Sequence, residues 1–244
     1  VEGITRFIAL FHTRLPDEIG PVRSARTGDV DLLSGMNRPA FAYSGANPGV
    51  TAWLWFAGQA GWLDDVGAAT TGCYDRREGR PGPHNLSYHP VCGLARASEA
   101  GPAGAMWAID RSWSGTPDIV GTPDTTFGVA MPGVDVAWTW DPARASYTRE
   151  QDGEPHLVDT GDVVAADNVV VLSVTYQPSV VDERSPHAIT VGSGGATVHR
   201  DGLAFPATWS RATPDAPFEV RHTGTGDVIP LDTGRTWIEL VRSN

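Results

Sequence analysis

Apolar and polar residues alternate with a period of two over much of the C-terminal half of the chain. In residues 134–140, Val and Trp alternate with Asp, Ala and Thr, which is typical of a half-buried strand. Residues 168–176 are almost all apolar or β-branched, which predicts a central strand buried on both faces. Asp201-Gly202 and Asp152-Gly153 indicate tight hairpin turns. Residues 236–242 predict a last strand, so this half is predicted to be β-rich.

The N-terminal half mixes strand and helix patterns. Residues 4–12 and 39–44 predict strands, the first ending before Pro16. The stretch from Pro48 to Ala60 suits a helix with Asn47 as N-cap, Pro48 in the first turn and Gly61 as its stop. The half is therefore predicted to combine a mixed sheet with helices.

The rest of this half carries turn-forming residues. Residues 71–90 are dense in Arg, Gly and Pro and predict a loop, while residues 90–100 predict a short helix that begins at a proline. Residues 101–126 are rich in Gly, Pro, Ser and Thr and predict a connection. We therefore expect an α+β protein, with a mixed-sheet α/β domain over residues 1–125 and a β-rich domain over residues 126–244.

Composition and charge exclude several classes of function. The chain has 244 residues, and its 18 basic residues are all arginine, which excludes sites that need a P-loop lysine, a Schiff-base lysine or a Ser-Lys pair. A net charge of −11 argues against non-specific nucleic-acid binding. No apolar run approaches the ~20 residues of a membrane span, and no signal peptide is predicted within these residues. Because the chain opens in a strand-like run without an initiator Met, we expect further residues before Val1 in the native protein.

Cys73 and Cys92 are the two cysteines of the chain, and they flank a Gly/Pro-rich stretch. A disulfide between them would close a loop worth roughly 3 kcal/mol in the chain-entropy model. Two free thiols are the alternative, because the sequence does not fix the distance between the two Cα atoms. We predict the disulfide, which would be consistent with an extracytoplasmic protein.

The segment Arg23-Ser24-Ala25-Arg26 is the first candidate ligand site. Its two guanidinium groups are three residues apart and can converge if a helical turn begins there. A planar guanidinium donates two parallel hydrogen bonds to a carboxylate or phosphate. The structural alternative is that Asp29 and Asp31 neutralise the arginines and fix a turn.

The segment Pro83-His84-Asn85-Leu86 is the second candidate. A loop histidine can act as general acid or base, and an asparagine can donate a hydrogen bond to a developing oxyanion, so His84 and Asn85 are the candidate catalytic residues. Arg76 and Arg77 precede them in the same loop and are candidate anion ligands. The alternative is that His84 and Asn85 only bond loop carbonyl groups.

Ser44 and Asn47 lie at a predicted strand-to-helix turn, where main-chain N–H groups can bind an anion. Helix capping by Asn47 is the simpler interpretation. No metal site and no cofactor are predicted, because His84 and His89 lack a recognised ligand pattern around them. Four tryptophans in predicted strands are expected in the core, namely Trp138, Trp140, Trp209 and Trp237. Trp53, Trp55 and Trp62 could line a cleft.

Several segments together resemble the YerB-like family, a domain of unknown function (DUF3048) found in bacterial lipoproteins. The resemblance covers most of the chain, and its motifs are fairly specific. The segments that carry it are Gly3-Ile4-Thr5-Arg6-Phe7, Ile19-Gly20-Pro21-Val22-Arg23-Ser24-Ala25-Arg26, Arg38 to Val50, Pro83 to Leu86, Trp140-Asp141-Pro142, Asn168 to Val171, Asp201-Gly202 and Gly234 to Ile238.

The resemblance implies an α/β domain followed by a β-rich one, held outside the cytoplasm by a lipid anchor that lies outside this chain. No established reaction comes with it. We therefore expect a binding or accessory module of the cell envelope that recognises an anionic small molecule or envelope polymer through the arginines, His84 and Asn85. A hydrolase or transferase with His84 as acid/base is one alternative, and a protein-interaction domain is another.

Overall fold

A computed structural model describes residues 6–102 and 104–243, and most of its regular structure is β. The helices are α1 (Thr27–Leu33), α2 (Pro48–Gln59), α3 (Ala68–Thr71) and α4 (Pro90–Leu94). The first strands are β1 (Ala40–Phe41), β2 (Asp64–Asp65), β3 (Tyr74–Arg76) and β4 (Leu86–Tyr88). The later strands are β5 (Thr122–Pro123), β6 (Thr126–Met131), β7 (Val134–Asp141), β8 (Ser146–Gln151), β9 (Glu154–Pro155), β10 (Ala165–Ala166), β11 (Asn168–Ser179), β12 (Asp182–Ile189), β13 (Gly192–Arg200), β14 (Leu203–Arg211), β15 (Glu219–His222) and β16 (Thr236–Arg242).

The chain forms two compact units. The first unit comprises Phe7–Ala105 together with Gln177–His187, a hairpin that comes much later in the sequence. The second unit contains Met106–Tyr176 and the residues from Ala188 onward. The domain boundary at residues 125 and 126 stays a prediction.

The first unit is built around a β–α–β crossover. Strands β1 and β2 pair in parallel, with Ala40 opposite Asp64, and α2 connects them. The helix begins as predicted, because the Asn47 side chain accepts a hydrogen bond from the main-chain N–H of Val50 at 2.9 Å and Pro48 lies in its first turn. Its inner face buries Leu54 in the core of the unit.

The segment 19–25 lies in extended form between β4 and the chain that follows β1. On one side, the N–H of Ile19 donates to the carbonyl oxygen of Tyr88 at 2.9 Å. On the other, the N–H of Ser44 donates to the carbonyl oxygen of Arg23 at 3.0 Å, and the N–H of Ala25 donates to that of Gly45 at 2.9 Å. These bonds place the first candidate site next to both the hairpin and the strand-to-helix turn.

The strand predicted over residues 4–12 is wrong for the residues that the structure describes. Residues 6–10 form no regular element, and residues 4 and 5 lie outside the described part of the chain. Phe7 and Leu10 are half-exposed there. An alternating pattern becomes a strand only where another strand supplies hydrogen-bond partners, and in this unit the segment 19–25 takes that place.

The loop predicted over residues 71–90 contains a short hairpin instead. Strands β3 and β4 pair antiparallel, and the rings of Tyr74 and Tyr88 lie 4.9 Å apart across the pair. The Gly and Pro residues that dominated the pattern are concentrated between the strands. The predicted disulfide is confirmed, with an S–S distance of 2.01 Å between Cys73 and Cys92. It joins the start of β3 to α4.

The second unit contains two sheets that share one core. The sheet of β6 to β10 contributes Val136, Trp138 and Tyr147, and the larger sheet contributes Val169. The predicted alternation of β7 is confirmed. Strand β11 is central in the larger sheet, between β13 on one side and β16 on the other. Asp201 and Gly202 both have positive φ angles, 56° and 75°, as the predicted tight turn between β13 and β14 requires.

A charged pair is sealed inside this core. Arg149 is fully buried, and its Nε lies 3.5 Å from a carboxylate oxygen of Glu239. Burial raises the pKa of Glu239, although Arg149 and the indole N–H of Trp138 act against it. Burial and the Arg149 charge together lower the pKa of His156, whose Nδ1 lies 2.9 Å from Arg149. We interpret Arg149 and Glu239 as part of the core, because both side chains are buried.

Candidate functional site

Arg23 and His84 meet in the first unit, although 61 residues separate them. The Arg23 Nη1 lies 3.0 Å from Nδ1 and 3.3 Å from Nε2 of His84. The extended segment 19–25 holds Arg23 beside β4, and the connection before β4 carries His84. A guanidinium nitrogen only donates hydrogen bonds, so the imidazole nitrogen that accepts carries no proton in this arrangement. Arg23 and His84 are therefore in direct contact, and their roles as ligand and catalytic residues stay predictions.

The last residue of β3 supplies a second guanidinium. Arg76 Nη1 donates to Asn85 Oδ1 at 2.7 Å, and Asn85 is the residue that follows His84. The Asn85 carbonyl oxygen also accepts the main-chain N–H of Arg77 at 2.7 Å. The amide oxygen of Asn85 therefore acts as a positioning acceptor for Arg76.

Arg77 differs from its neighbour because it pairs with an acid. Its Nε donates to a carboxylate oxygen of Glu18 at 2.7 Å. This hydrogen bond is the largest cause that holds the pKa of Glu18 at about 2. Arg77 thus holds in place the segment that leads to Arg23. Because Glu18 offsets the charge of Arg77, Arg76 contributes more to the local positive charge.

Arg26 does not join Arg23 through a helical turn. Helix α1 begins only at Thr27, and Arg26 is extended, with φ −133° and ψ 161°. Side chains three residues apart in an extended segment point to opposite faces. The Arg26 guanidinium donates to the carbonyl oxygen of Ala25 at 2.8 Å, and its main-chain N–H donates to Asp29 Oδ2 at 2.7 Å. Arg26 therefore helps to start the helix.

Ser44 and Asn47 lie beside the Arg23 segment at the carboxyl end of β1, where parallel sheets commonly bind ligands. The main chain of Ser44 bonds Arg23, as described above. Asn47 caps α2 and also donates from Nδ2 to Asp182 Oδ2 at 3.3 Å. The capping interpretation of Asn47 is confirmed, and the ligand role of either residue stays a prediction.

A chain of polar side chains that the sequence did not indicate lies on the other side of α1. Asp31 Oδ2 is 2.8 Å from His187 Nε2, and His187 Nδ1 is 2.9 Å from the Thr27 hydroxyl. Thr27 in turn donates to Ser179 at 3.0 Å. The order carboxylate, imidazole, hydroxyl resembles a catalytic relay. Thr27 and Ser179 are only 4% and 3% exposed, so the chain fixes the hairpin of residues 177–187 against α1.

These contacts were hidden because about 150 residues separate the partners. No local pattern links Asp31 to His187. From the sequence, Asp31 is placed beside the arginines and His187 is given no role. The only signal in the sequence was the occurrence of both residue types.

The described residues offer no metal centre and no membrane-crossing helix. Over residues 6–102 and 104–243, no three His, Cys, Asp or Glu side chains are grouped so that they could hold a metal ion. His89 Nε2 lies 2.8 Å from Asp75 Oδ2. No helix in the same residues is both long and apolar enough to cross a membrane.

The sequence is similar to a protein family and to a known protein. Residues 1–101 match "Protein of unknown function (DUF3048) N-terminal domain", and residues 127–238 match the C-terminal domain of the same description. The chain is 24% identical over 256 residues to the "Putative lipoprotein YerB" of Bacillus subtilis (strain 168), which covers 98% of this chain and 71% of the relative.

The fold also matches a solved structure. The crystal structure of YerB protein from Bacillus subtilis superposes with a TM-score of 0.76 at 20% identity, over 98% of this chain and 79% of that one. At this identity the likeness establishes the fold.

Proposed function

Because the chain belongs to the YerB-like family, defined by its two DUF3048 domains, we propose that it is an extracytoplasmic binding module of the bacterial cell envelope that recognises an anionic ligand. The observation that carries the proposal is the contact between Arg23 and His84, with Arg76 positioned by the neighbouring Asn85. Both arginines thus contact consecutive residues of one loop, His84 and Asn85, in a chain whose net charge is −11.

Two observations support the location. The B. subtilis relative carries the name of a lipoprotein, and lipoproteins are held at a membrane by covalent lipid. The Cys73–Cys92 disulfide suits an oxidising compartment, since disulfides persist mainly outside the cytosol.

The residues also favour a ligand class. Each guanidinium presents a planar set of donors that matches the oxygens of a phosphate, sulfate or carboxylate. Arg23 already donates to an imidazole nitrogen, and an anion would replace that acceptor with one of opposite charge. An arginine and a carboxylate or phosphate can form two parallel hydrogen bonds, so the exchange favours binding.

Substitution of Arg23 tests the proposal. We expect Arg23→Ala to weaken the binding of phosphate, sulfate or envelope fragments by about ten- to a hundredfold, the effect of losing one charge-assisted contact. Arg23→Lys should also lose affinity, because lysine lacks the planar donor set. Titration calorimetry and ligand-dependent thermal unfolding measure both effects.

Arg144→Ala is the matched control. Arg144 is an exposed arginine of the second unit that pairs with Asp141 at 3.2 Å, so its removal should leave ligand affinity unchanged. Arg26→Ala should lower thermal stability with no effect on affinity, because its guanidinium bonds main-chain carbonyl groups. If none of the ligands shifts the wild-type melting curve, the anion-binding module is refuted and a protein-interaction domain replaces it.

A hydrolase or transferase is the second candidate. The specific observation that favours it is the contact between Arg23 and His84, because a nitrogen that accepts a hydrogen bond has the lone pair that a general base needs once a substrate displaces the guanidinium. We expect such an enzyme to release p-nitrophenol from p-nitrophenyl phosphate and His84→Gln to abolish this turnover. Binding of phosphate without turnover supports the binding module instead.

A further inference from the structure

Strands β11 and β13 stop pairing part of the way along their length. Their antiparallel pairing joins residues 168–172 to residues 196–200, yet β11 continues to Ser179 and β13 begins at Gly192. On its other side, β13 pairs with β14 along its whole length. The main chain of residues 192–195 therefore has one edge that does not pair with β11, and an opening lies in the sheet there.

The opening is too narrow to admit another strand. The indole N–H of the buried Trp209 donates to the carbonyl oxygen of Ser173 at 2.8 Å, so this carbonyl group is already bonded across the opening. A Cβ added to Gly194 would lie 2.5 Å from the same oxygen. An inserted strand would need about twice the ~4.8 Å between neighbouring strands, which excludes an extended peptide and leaves a small molecule as the kind of ligand that fits.

A cavity of about 250 Å³ lies at this opening, entirely within the second unit. Four of the residues that line it carry a hydroxyl group, namely Ser173, Thr175, Ser193 and Ser243. Ile189 and Val191 add apolar side chains, and none of the described residues around the cavity is charged. The Thr175 and Ser243 hydroxyl oxygens lie 3.4 Å apart, near the limit for a hydrogen bond, so both keep capacity for further bonds.

We propose that this cavity binds a single ring of a neutral saccharide. A serine or threonine hydroxyl group both donates and accepts hydrogen bonds, as the hydroxyl groups of a sugar do. The apolar side chains of Ile189 and Val191 can contact the C–H groups of the ring, whereas water would form no hydrogen bonds to them. The site goes beyond the proposed anion site, because it lies in the other unit and uses other chemistry.

Size and charge narrow the class of ligand. The cavity is smaller than the ~300–1,000 Å³ of sites for drug-sized ligands, so one sugar ring fits it better than an oligosaccharide. A carboxylate or phosphate would lose its hydration without a cation to replace it. Acidic sugars should therefore bind less well than neutral sugars of the same size.

The lack of a side chain at Gly195 keeps the cavity open. Gly195 follows Ser193 by two residues, so their side-chain positions lie on the same face of β13. A Cβ added to Gly195 would lie 4.0 Å from the Cβ of Ser173, which is an ordinary contact. The backbone should therefore accept a larger residue there, and that residue would take up space in the cavity.

Amide NMR spectra of the whole chain, recorded during titration with glucose, galactose or mannose, test the proposal. We expect at least one of these sugars to shift the amide signals of Gly192 and Gly195 and the indole signal of Trp209 until they saturate. The corresponding uronic acid should bind about tenfold more weakly, because its carboxylate meets no cation in the cavity.

Two variants of the cavity should weaken this binding. Gly195→Val fills part of the space and should reduce affinity about tenfold. Thr175→Val keeps the shape of the side chain but removes a hydroxyl, so it should reduce affinity about three- to tenfold, the effect of one hydrogen bond. It decides the question if Gly195→Val does not fold. Gly128→Val is the matched control, because a Cβ at this glycine of β6 would also make an ordinary contact, 3.8 Å from the Val136 carbonyl oxygen.

The outcomes are separate from those for the anion site. Phosphate should leave the Gly192 and Gly195 signals unchanged, and Arg23→Ala should leave sugar binding intact. If none of the three sugars shifts these signals, the cavity holds water only, and the proposal is refuted whatever the phosphate titration gives. Equal sugar affinity in the wild type and in the folded cavity variants would also refute it, because the sugar would then bind elsewhere.

Discussion

His199 is a neutral histidine held inside the second unit. Its ring stacks on Phe127 with centroids 3.5 Å apart, and the residue is almost fully buried. Burial lowers the pKa of His199 to about 4. The nearest carboxylate oxygen, on Asp124, lies 3.6 Å from Nδ1, beyond hydrogen-bonding distance, so it does little to restore the charged form.

This burial predicts how stability depends on pH. The unfolded chain protonates His199 near pH 6.5, while the folded chain protonates it near pH 4. Between these values the unfolded state binds more protons, so stability falls as the pH falls. We expect His199 alone to lower the free energy of unfolding by about 2 kcal/mol between pH 7 and pH 5. Urea denaturation at several pH values measures it.

His199→Gln should flatten this dependence, because glutamine does not titrate. His12→Gln is the control, since His12 is exposed. The lowered pKa of His156 adds a slope of the same sign, so some pH dependence will remain in the variant. An unchanged slope in His199→Gln would contradict the assignment.

At the scale of elements, two helical glycines occupy opposite environments. A Cβ added to Gly58, in α2, would meet no atom within 4 Å. A Cβ added to Gly93, in α4, would lie 1.7 Å from the Tyr88 hydroxyl oxygen. Tyr88 is buried against Tyr74 beside the disulfide and has little room to move.

Alanine at these two positions should therefore have opposite effects. Gly58→Ala should stabilise the protein by about 0.5–1 kcal/mol, because alanine loses less backbone entropy in a helix. Gly93→Ala should destabilise it by about 1–3 kcal/mol through overpacking. Each variant is the control for the other, and chemical denaturation measures both. Stabilisation by Gly93→Ala would mean that α4 moves freely against β4.

Elements with local signals could be predicted from the sequence, and elements that depend on distant partners could not. Strands β7 and β11 follow from side-chain periodicity, and the cap of α2 follows from Asn47-Pro48. Residues 6–12 have an equally good strand pattern, but no local feature shows which segment takes the pairing positions. Strands β3 and β4 could not be predicted, because the glycine and proline residues between them dominate the amino-acid composition of residues 71–90.

In the candidate site, too, the residue types could be predicted from the sequence and the contacts between distant residues could not. The residue types of Arg23 and His84 indicate an anion site, while their contact across 61 residues is seen only in the structure. The helical turn that would bring Arg26 beside Arg23 does not form, because α1 begins only at Thr27, and the ligand role of Arg26 stays a prediction. The contact between Asp31 and His187 could not be predicted, because the sequence around a histidine does not show which distant residue it contacts.

At the scale of the whole molecule, each unit has its own core, but the sequence does not divide between them at one point. The core of the first unit includes Val181, which packs against α2. The second unit is built from sequence on both sides of that hairpin. Because of this arrangement, the core of each unit is complete only after segments that lie far apart in the sequence have been synthesised.

The position of the hairpin sets a time at which the first unit can finish folding during synthesis. A nascent chain that ends at residue 125 lacks the His187 that Asp31 and Thr27 contact and the Asp182 that Asn47 contacts. We therefore expect a fragment of residues 1–125 to show poor dispersion in its amide NMR spectrum and rapid proteolysis. Adding a peptide of residues 177–187 should slow that proteolysis. In a cell, about 60 residues beyond residue 125 must be made before these bonds can form, so the first unit completes its contacts late in synthesis.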